Sequence, residues 1–258
     1  MNYILGCGIS GALLAFYNEK YSIISESFGQ DLVKMGPRII KSTEYTDRFI
    51  KKLDKSIIKK IYRVAYYKDR LYIDCPKDIR IMYLEKTRGK NLNQFNSSGM
   101  NDGEKEIIGY DLNIVYLKLL EKIMSRLILS QVIQIELETK SIYVLGRSKE
   151  TLVNKYNTIY STIPFNTFCK LTNVSYGLES ESSNIYFYYG FGTSYLEEIM
   201  DGYDFVYFPG EETFYRISRS YEMFCIESLL EIQNEELYKF ILRVDDKKIL
   251  ENSKLLNE

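Results

Sequence analysis

The stretch YILGCGISGA, residues 3–12, places glycines at 6, 8 and 11, the spacing G-x-G-x-x-G. Glycines so spaced let a chain turn tightly and leave backbone N–H groups uncovered. That is the chemistry of gripping linked phosphates. Gly6 permits the turn, Gly8 lets the backbone approach a pyrophosphate, and Gly11 lets a following helix pack closely on a sheet. Ile9 and Ser10 then fall in a first helical turn, where unpaired N–H groups and the positive dipole end meet an anion. Glu26 stands twenty residues past Gly6 and is followed by Ser27. A carboxylate there accepts hydrogen bonds from a ribose diol.

These residues work only if regular elements hold them. NYILG is a short apolar run suited to a buried parallel strand, ALLAFYNE has helical spacing, and YSIIS is a second apolar run ending at Glu26. Strand, glycine turn, helix, strand and acid follow in the order of a dinucleotide-binding unit. The same order also describes a unit that keeps the shape without a ligand.

Composition narrows the remaining chemistry. The chain has 258 residues, enough for a large core, with 34 Lys+Arg against 35 Asp+Glu. A net charge of -1 argues against a nucleic-acid partner. No apolar run is long enough to span a bilayer, and no signal peptide is expected. Cys7, Cys75, Cys169 and Cys225 form no CxxC pair, so reduced thiols and a cytoplasmic setting are expected. There is no histidine. Ser-His-Asp and Cys-His catalysis, HExxH metal sites and a histidine base are therefore excluded. Proton transfers fall to carboxylates, Tyr, Lys, Cys, water or a cofactor.

Further along, Phe49, Leu53, Ile57, Ile58 and Ile61 predict an amphipathic helix within 46–65. Residues 63–76 read as a hairpin, 89–106 as a polar surface loop, and 193–204 as a helix stopped by Gly202. In 182–192, Ile185, Phe187 and Tyr189 face one way along a strand and Tyr186 and Tyr188 the other. Cys7 is read as a small space-filler, and the lysines of 51–60 as a solvated face.

Four segments carry a family resemblance: GPRIIKSTEYTDRFIKKL (36–53), GYDLNIVYLKLLEKIMSRL (109–127), YNTIYSTIPFNTFCKL (156–171) and FVYFPGEETFYRISRS (205–220). In that order they resemble segments of UDP-galactopyranose mutases and of amine-oxidase and protoporphyrinogen-oxidase-like flavoproteins, colinear over about residues 2–228. The resemblance implies FAD as cofactor and an oxidoreductase acting on a small-molecule substrate. It places Gly36, Pro37 and Arg38 beside the flavin, Val132 in a strand that clasps the adenine, and Thr162 at the strand returning to the FAD sheet. It places Arg216 near the substrate, with Tyr207, Tyr215 and Tyr188 lining the same pocket. Arg38 also reads as half of a structural salt bridge, and Arg216 as one partner of an acid between sheets.

The chain departs from the family at three points. Gly29 stands alone where a Gly-Gly is usual, Arg38 replaces a histidine, and no glycine turn and helix follow residue 228. The last departure makes a homo-oligomer or a partner chain the expected source of the missing flavin-facing segment. The fold expected is α/β, a Rossmann-like FAD/NAD(P)-binding domain with an interleaved mixed α+β substrate domain. The dinucleotide domain takes 1–45 and 106–172, the substrate or cap region 46–105 and 173–228, and a helical tail 229–258. NAD is the alternative cofactor, since the Glu26 carboxylate repels a 2′-phosphate. A non-catalytic binding or assembly subunit is the third reading.

Overall fold

A computed structural model describes residues 1–27, 38–68, 70–88, 105–146, 149–175, 186–191, 193–210, 213–220 and 223–242. In chain order the first half holds β1 (Asn2–Leu5), α1 (Ile9–Tyr17), β2 (Tyr21–Ser25), β3 (Ile39–Lys41), α2 (Glu44–Leu53), β4 (Lys60–Lys68), β5 (Arg70–Tyr72) and α3 (Lys77–Arg88). Next come β6 (Glu106–Asp111), α4 (Leu112–Ile123), β7 (Leu127–Leu129), β8 (Gln131–Glu136), β9 (Ser141–Leu145), β10 (Thr151–Lys155), β11 (Thr158–Ser161) and α5 (Phe165–Thr172). The last are β12 (Tyr186–Phe191), α6 (Ser194–Ile199), β13 (Phe205–Tyr207), β14 (Phe214–Ser220), β15 (Met223–Ser228) and α7 (Asn234–Leu242).

Two compact units form from interleaved segments. One takes 1–33, 44–58 and 112–182, the other 34–43, 59–111 and 183–258. The βαβ start and residues 112–172 share the first unit, while 106–111 fall in the second and α2 in the first. The first unit is built on a four-stranded parallel sheet in the order β11-β1-β2-β7. Residues Asn2–Leu5 pair with Tyr21–Ile24 on one side and with Thr158–Ser161 on the other. Tyr3, Ile4 and Leu5 are buried because a central parallel strand is covered on both faces. The chain leaves β1 toward β2 and returns through β11 on the opposite side, so strand order reverses at β1. Open parallel sheets bind ligands at that switch point, beyond the carboxyl ends of the strands.

Val132, expected in a strand, lies in β8, which belongs to a separate antiparallel sheet of order β10-β9-β8. The strand beside β2 is β7. Ile135, Ile142 and Val144 of the meander pack with Tyr3, Leu5 and Ile24.

The second unit is an eight-stranded mixed sheet of order β12-β15-β14-β13-β4-β6-β3, with β5 beside β4. Alternate residues feed two cores. Ala65, Val206, Ile217 and Ile226 face α6 and α7 through Leu196, Ile199 and Phe240. Val64, Tyr66, Phe205, Tyr207 and Tyr215 face α3 through Ile79 and Tyr83. The sheet is thus covered on both sides, and the whole is a mixed α/β fold.

The helix expected over 46–65 is shorter. It stops at Leu53, where the Asp54 carboxylate accepts the Ser56 N–H at 2.8 Å and turns the chain. Lys60–Lys68 is strand because its β-branched and aromatic residues pack on the pleat. The hairpin forms, with Tyr66 opposite Tyr72. Gly202 ends the turn after α6 at φ +75°. The loop expected over 89–106 lies outside the described residues up to 104. Of the expected tail, 234–242 is helix α7, and its Phe240 ring lies 4.3 Å from that of Phe214. No helix among the described residues is long and apolar enough to cross a membrane.

Candidate functional site

The glycine turn sits at the carboxyl end of β1. Gly6 adopts φ +93°, a conformation that favours glycine. At Gly11 an added Cβ would stand 2.0 Å from the Gly6 carbonyl oxygen, so α1 approaches β1 only because that position is bare. Gly8 is the N-cap of α1, with ordinary extended dihedrals and no side-chain cap. A Cβ added there meets nothing within 4 Å. The first bond of the helix runs from the Ala12 N–H to the Gly8 carbonyl at 2.9 Å. The amides of Gly8, Ile9, Ser10 and Gly11 therefore precede the helical ladder. Ile9 is half-buried and Ser10 exposed. Cys7 is buried among its neighbours at 3% exposure, and burial raises its thiol pKa.

Glu26 and Ser27 are exposed, just past the end of β2. The Ser25 hydroxyl donates to the Ser27 carbonyl at 2.7 Å and accepts the Cys7 N–H at 3.1 Å, tying the acid's loop to the glycine turn. Thr162 stands just past β11, and its hydroxyl donates to the Leu5 carbonyl at 2.9 Å. Val132 is half-buried against the core that holds Tyr3 and Leu5. The first unit thus places Gly6, Gly8, Ile9, Ser10, Gly11, Glu26 and Thr162 at or just beyond the carboxyl ends of the adjacent strands β1, β2 and β11. Sequence reasoning missed Ser25 and Tyr116, whose hydroxyl donates to the Cys7 carbonyl. No local pattern marks a partner 109 residues away.

Gly36 and Pro37 lie outside the described residues. Arg38 belongs to the second unit, half-buried, with its guanidinium 5.6 Å from the Phe187 ring centre. Its Nε is buried and has no partner among the described residues.

Arg216 is paired. Its Nε donates to Glu227 at 2.8 Å, its Nη2 bonds the same carboxylate, and the two side chains are 15% and 1% exposed. The Tyr215 hydroxyl donates to the other Glu227 oxygen at 2.8 Å. Burial opposes the Arg216 charge, but the Glu227 carboxylate outweighs it and holds the guanidinium protonated beyond its usual range. Burial, and then the Glu227 charge, raise the Tyr215 pKa above its ordinary value. Tyr207 is buried with its ring centre 5.0 Å from that of Tyr83. Tyr188 accepts the Ile232 N–H at 2.6 Å, which fixes its hydroxyl to the backbone. Glu227 is the member of this group that sequence reasoning missed; its signal is an acid following the apolar run MFCI in β15.

No protein-family model and no curated sequence matches the chain. Solved structures match it at the level of fold. The tetracycline destructase Tet(51) aligns with TM-score 0.51 at 11% identity, covering 97% of this chain and 65% of its own. This chain therefore spans less than two thirds of that protein's length. A double mutant of putrescine oxidase, from a redesign of cofactor binding, aligns with TM-score 0.51 at 9% identity, covering 96% of this chain and 78% of its own. At such identities what the chain shares with these two enzymes is the fold.

Proposed function

We propose that this chain is an FAD-binding flavoprotein, an oxidoreductase of the amine-oxidase-like type that acts on a small molecule. The observation that carries the reading is the turn at the switch point of the parallel sheet, with Gly8 bare and open and four amides leading into α1. Its residues fit the group. Any side chain at Gly8 would fill the space through which a pyrophosphate approaches, and Glu26 stands exposed one residue past β2 to meet the ribose. The fold shared with a putrescine oxidase and with Tet(51) agrees with the reading.

When bound, FAD supplies the hydride acceptor, which is why a chain without histidine can serve such a reaction. The chain's own part is to hold and orient. The amides of Gly8, Ile9 and Ser10 grip the phosphates and Glu26 fixes the sugar. Val132 supports the adenine side, and Arg38 is the cation that the family resemblance assigns to the flavin. Arg216 meets a substrate anion only with the donors that Glu227 leaves open.

A visible spectrum of the purified protein, followed by titration with FAD and with NADH, tests the reading. Flavin bands, present at once or gained with added FAD, are the expected result. Uptake of NADH without FAD selects the NAD alternative. Binding of neither leaves a fold kept for assembly and sinks the proposal.

A further inference from the structure

A backbone turn carries acceptors as well as donors, and a phosphate is attracted only by the donors. In the glycine turn the acceptors are already taken. The Leu5 carbonyl receives the Thr162 N–H at 2.9 Å and the Thr162 hydroxyl at 2.9 Å. The Gly6 carbonyl oxygen lies 3.2 Å from that same hydroxyl. The Cys7 carbonyl receives the hydroxyl of Tyr116, a residue of α4 that is 1% exposed. On its other side, Cys7 gives its N–H to the Ser25 hydroxyl at 3.1 Å. Cys7 is thus held at both ends by side chains, one from β2 and one from α4.

The consequence falls on the next amide. No peptide bond in the chain is cis. Across a planar trans peptide the C=O and the following N–H point in opposite directions. Drawing the Cys7 carbonyl toward α4 therefore sends the Gly8 N–H away from α4. Gly8 is exposed, and among the described residues no backbone acceptor takes that N–H. We infer that Ser25 and Tyr116 are positioning residues that lock the two peptides flanking Cys7, Ser25 the Gly6–Cys7 unit through its N–H and Tyr116 the Cys7–Gly8 unit through its carbonyl. With Thr162, they leave the open side of the turn as a donors-only surface for a pyrophosphate. The inference rests on the dinucleotide reading above. Without the Tyr116 hydroxyl the Cys7–Gly8 peptide is free to rotate, and rotation would set a carbonyl oxygen against the phosphates.

Binding of adenosine, ADP and FAD to the full chain tests the inference, using the wild type and Tyr116→Phe, Ser25→Ala and Ser25→Thr. The decisive quantity is the gain in affinity from adenosine to ADP, which isolates the pyrophosphate. A loss of packing alone would weaken all three ligands together. Tyr116→Phe is expected to cut that gain about tenfold, the scale of one charge-assisted hydrogen bond, with adenosine unchanged. Ser25→Ala is expected to cut it in the same direction, and Ser25→Thr, which keeps a hydroxyl, to restore it. If Tyr116→Phe does not fold, the two Ser25 variants decide. A wild type that gains affinity with the phosphates, together with variants that gain equally, overturns the inference and leaves the function standing. A wild type that binds neither ADP nor FAD overturns both.

Discussion

At the scale of single residues, the three glycines are bare for different reasons, and substitution separates them. Gly8 has φ −70°, and the Cβ of Gly8→Val meets nothing within 4 Å among the described residues. The variant should fold with nearly wild-type stability and lose dinucleotide binding, because its methyls stand where the phosphates approach. Circular dichroism melting beside FAD titration checks this; retained binding would remove the turn as the site. Gly11→Ala should do the reverse, since its Cβ would lie 2.0 Å from a backbone oxygen. It should lower stability by about 1–3 kcal/mol, the range for overpacking, whether or not ligand is present. Glu26→Ala should leave folding intact and weaken binding by about 1–3 kcal/mol, as expected for losing a hydrogen bond to a charged group. Glu227 is a different case. Glu227→Gln strips the charge that faces buried Arg216 and should cost about 3–5 kcal/mol in urea unfolding, because an uncompensated guanidinium remains.

At the scale of elements, the sequence was readable wherever one signal was local and unopposed. YILGCGISGA and YSIIS compress strand, turn, helix and strand into the first 25 residues of the chain, and each piece forms. The 46–65 segment carried two signals. Its helical spacing of apolar residues competed with a β-branched and aromatic run from Ile61 onward, and sheet pairing to β6 and β13 decided for strand after Lys60. Such pairing, with partners more than forty residues away, leaves no trace in a local window. The same limit hid Ser25 and Tyr116, whose importance comes from the carbonyl and amide they meet rather than from their neighbours in sequence. In α7 the charged residues dominate the sequence and obscure an apolar face. Leu237, Phe240 and Ile241 pack against the core that holds Phe208 and Phe214. Phe240→Ala should therefore lower stability by about 2 kcal/mol, less than the 3–5 of a fully buried ring because Phe240 is only half-buried. Thermal melts check it, and an unchanged midpoint would mean that α7 is not part of that core.

At the scale of the whole molecule, the missing histidine becomes a statement about pH. Histidine is the one side chain whose ordinary pKa lies between about 5 and 8. A chain with none has no such group to couple folding to pH there. On the alkaline side the buried acids take over. Burial pushes the Cys75 thiol up to about 11 and the Cys225 thiol up to about 12 from an ordinary 9.0. Burial likewise raises Tyr66, Tyr83 and Tyr215 above their ordinary 10.0. Above about pH 9 the unfolded chain releases protons that the folded chain keeps. The unfolded state then binds fewer protons, and the free energy of unfolding falls as pH rises. The fall begins near 9 with the thiols and steepens near 10, where the tyrosines of an unfolded chain ionise. Urea midpoints should therefore be flat from pH 6 to 8 and drop between 9 and 11. Four of these five groups, Tyr66, Cys75, Tyr83 and Tyr215, pack in one core of the second unit, and the fifth, Cys225, is buried on β15 two residues before Glu227, whose charge adds to its shift. A stability step near pH 6.5, or a midpoint unchanged up to pH 11, would show that this core is not closed to water.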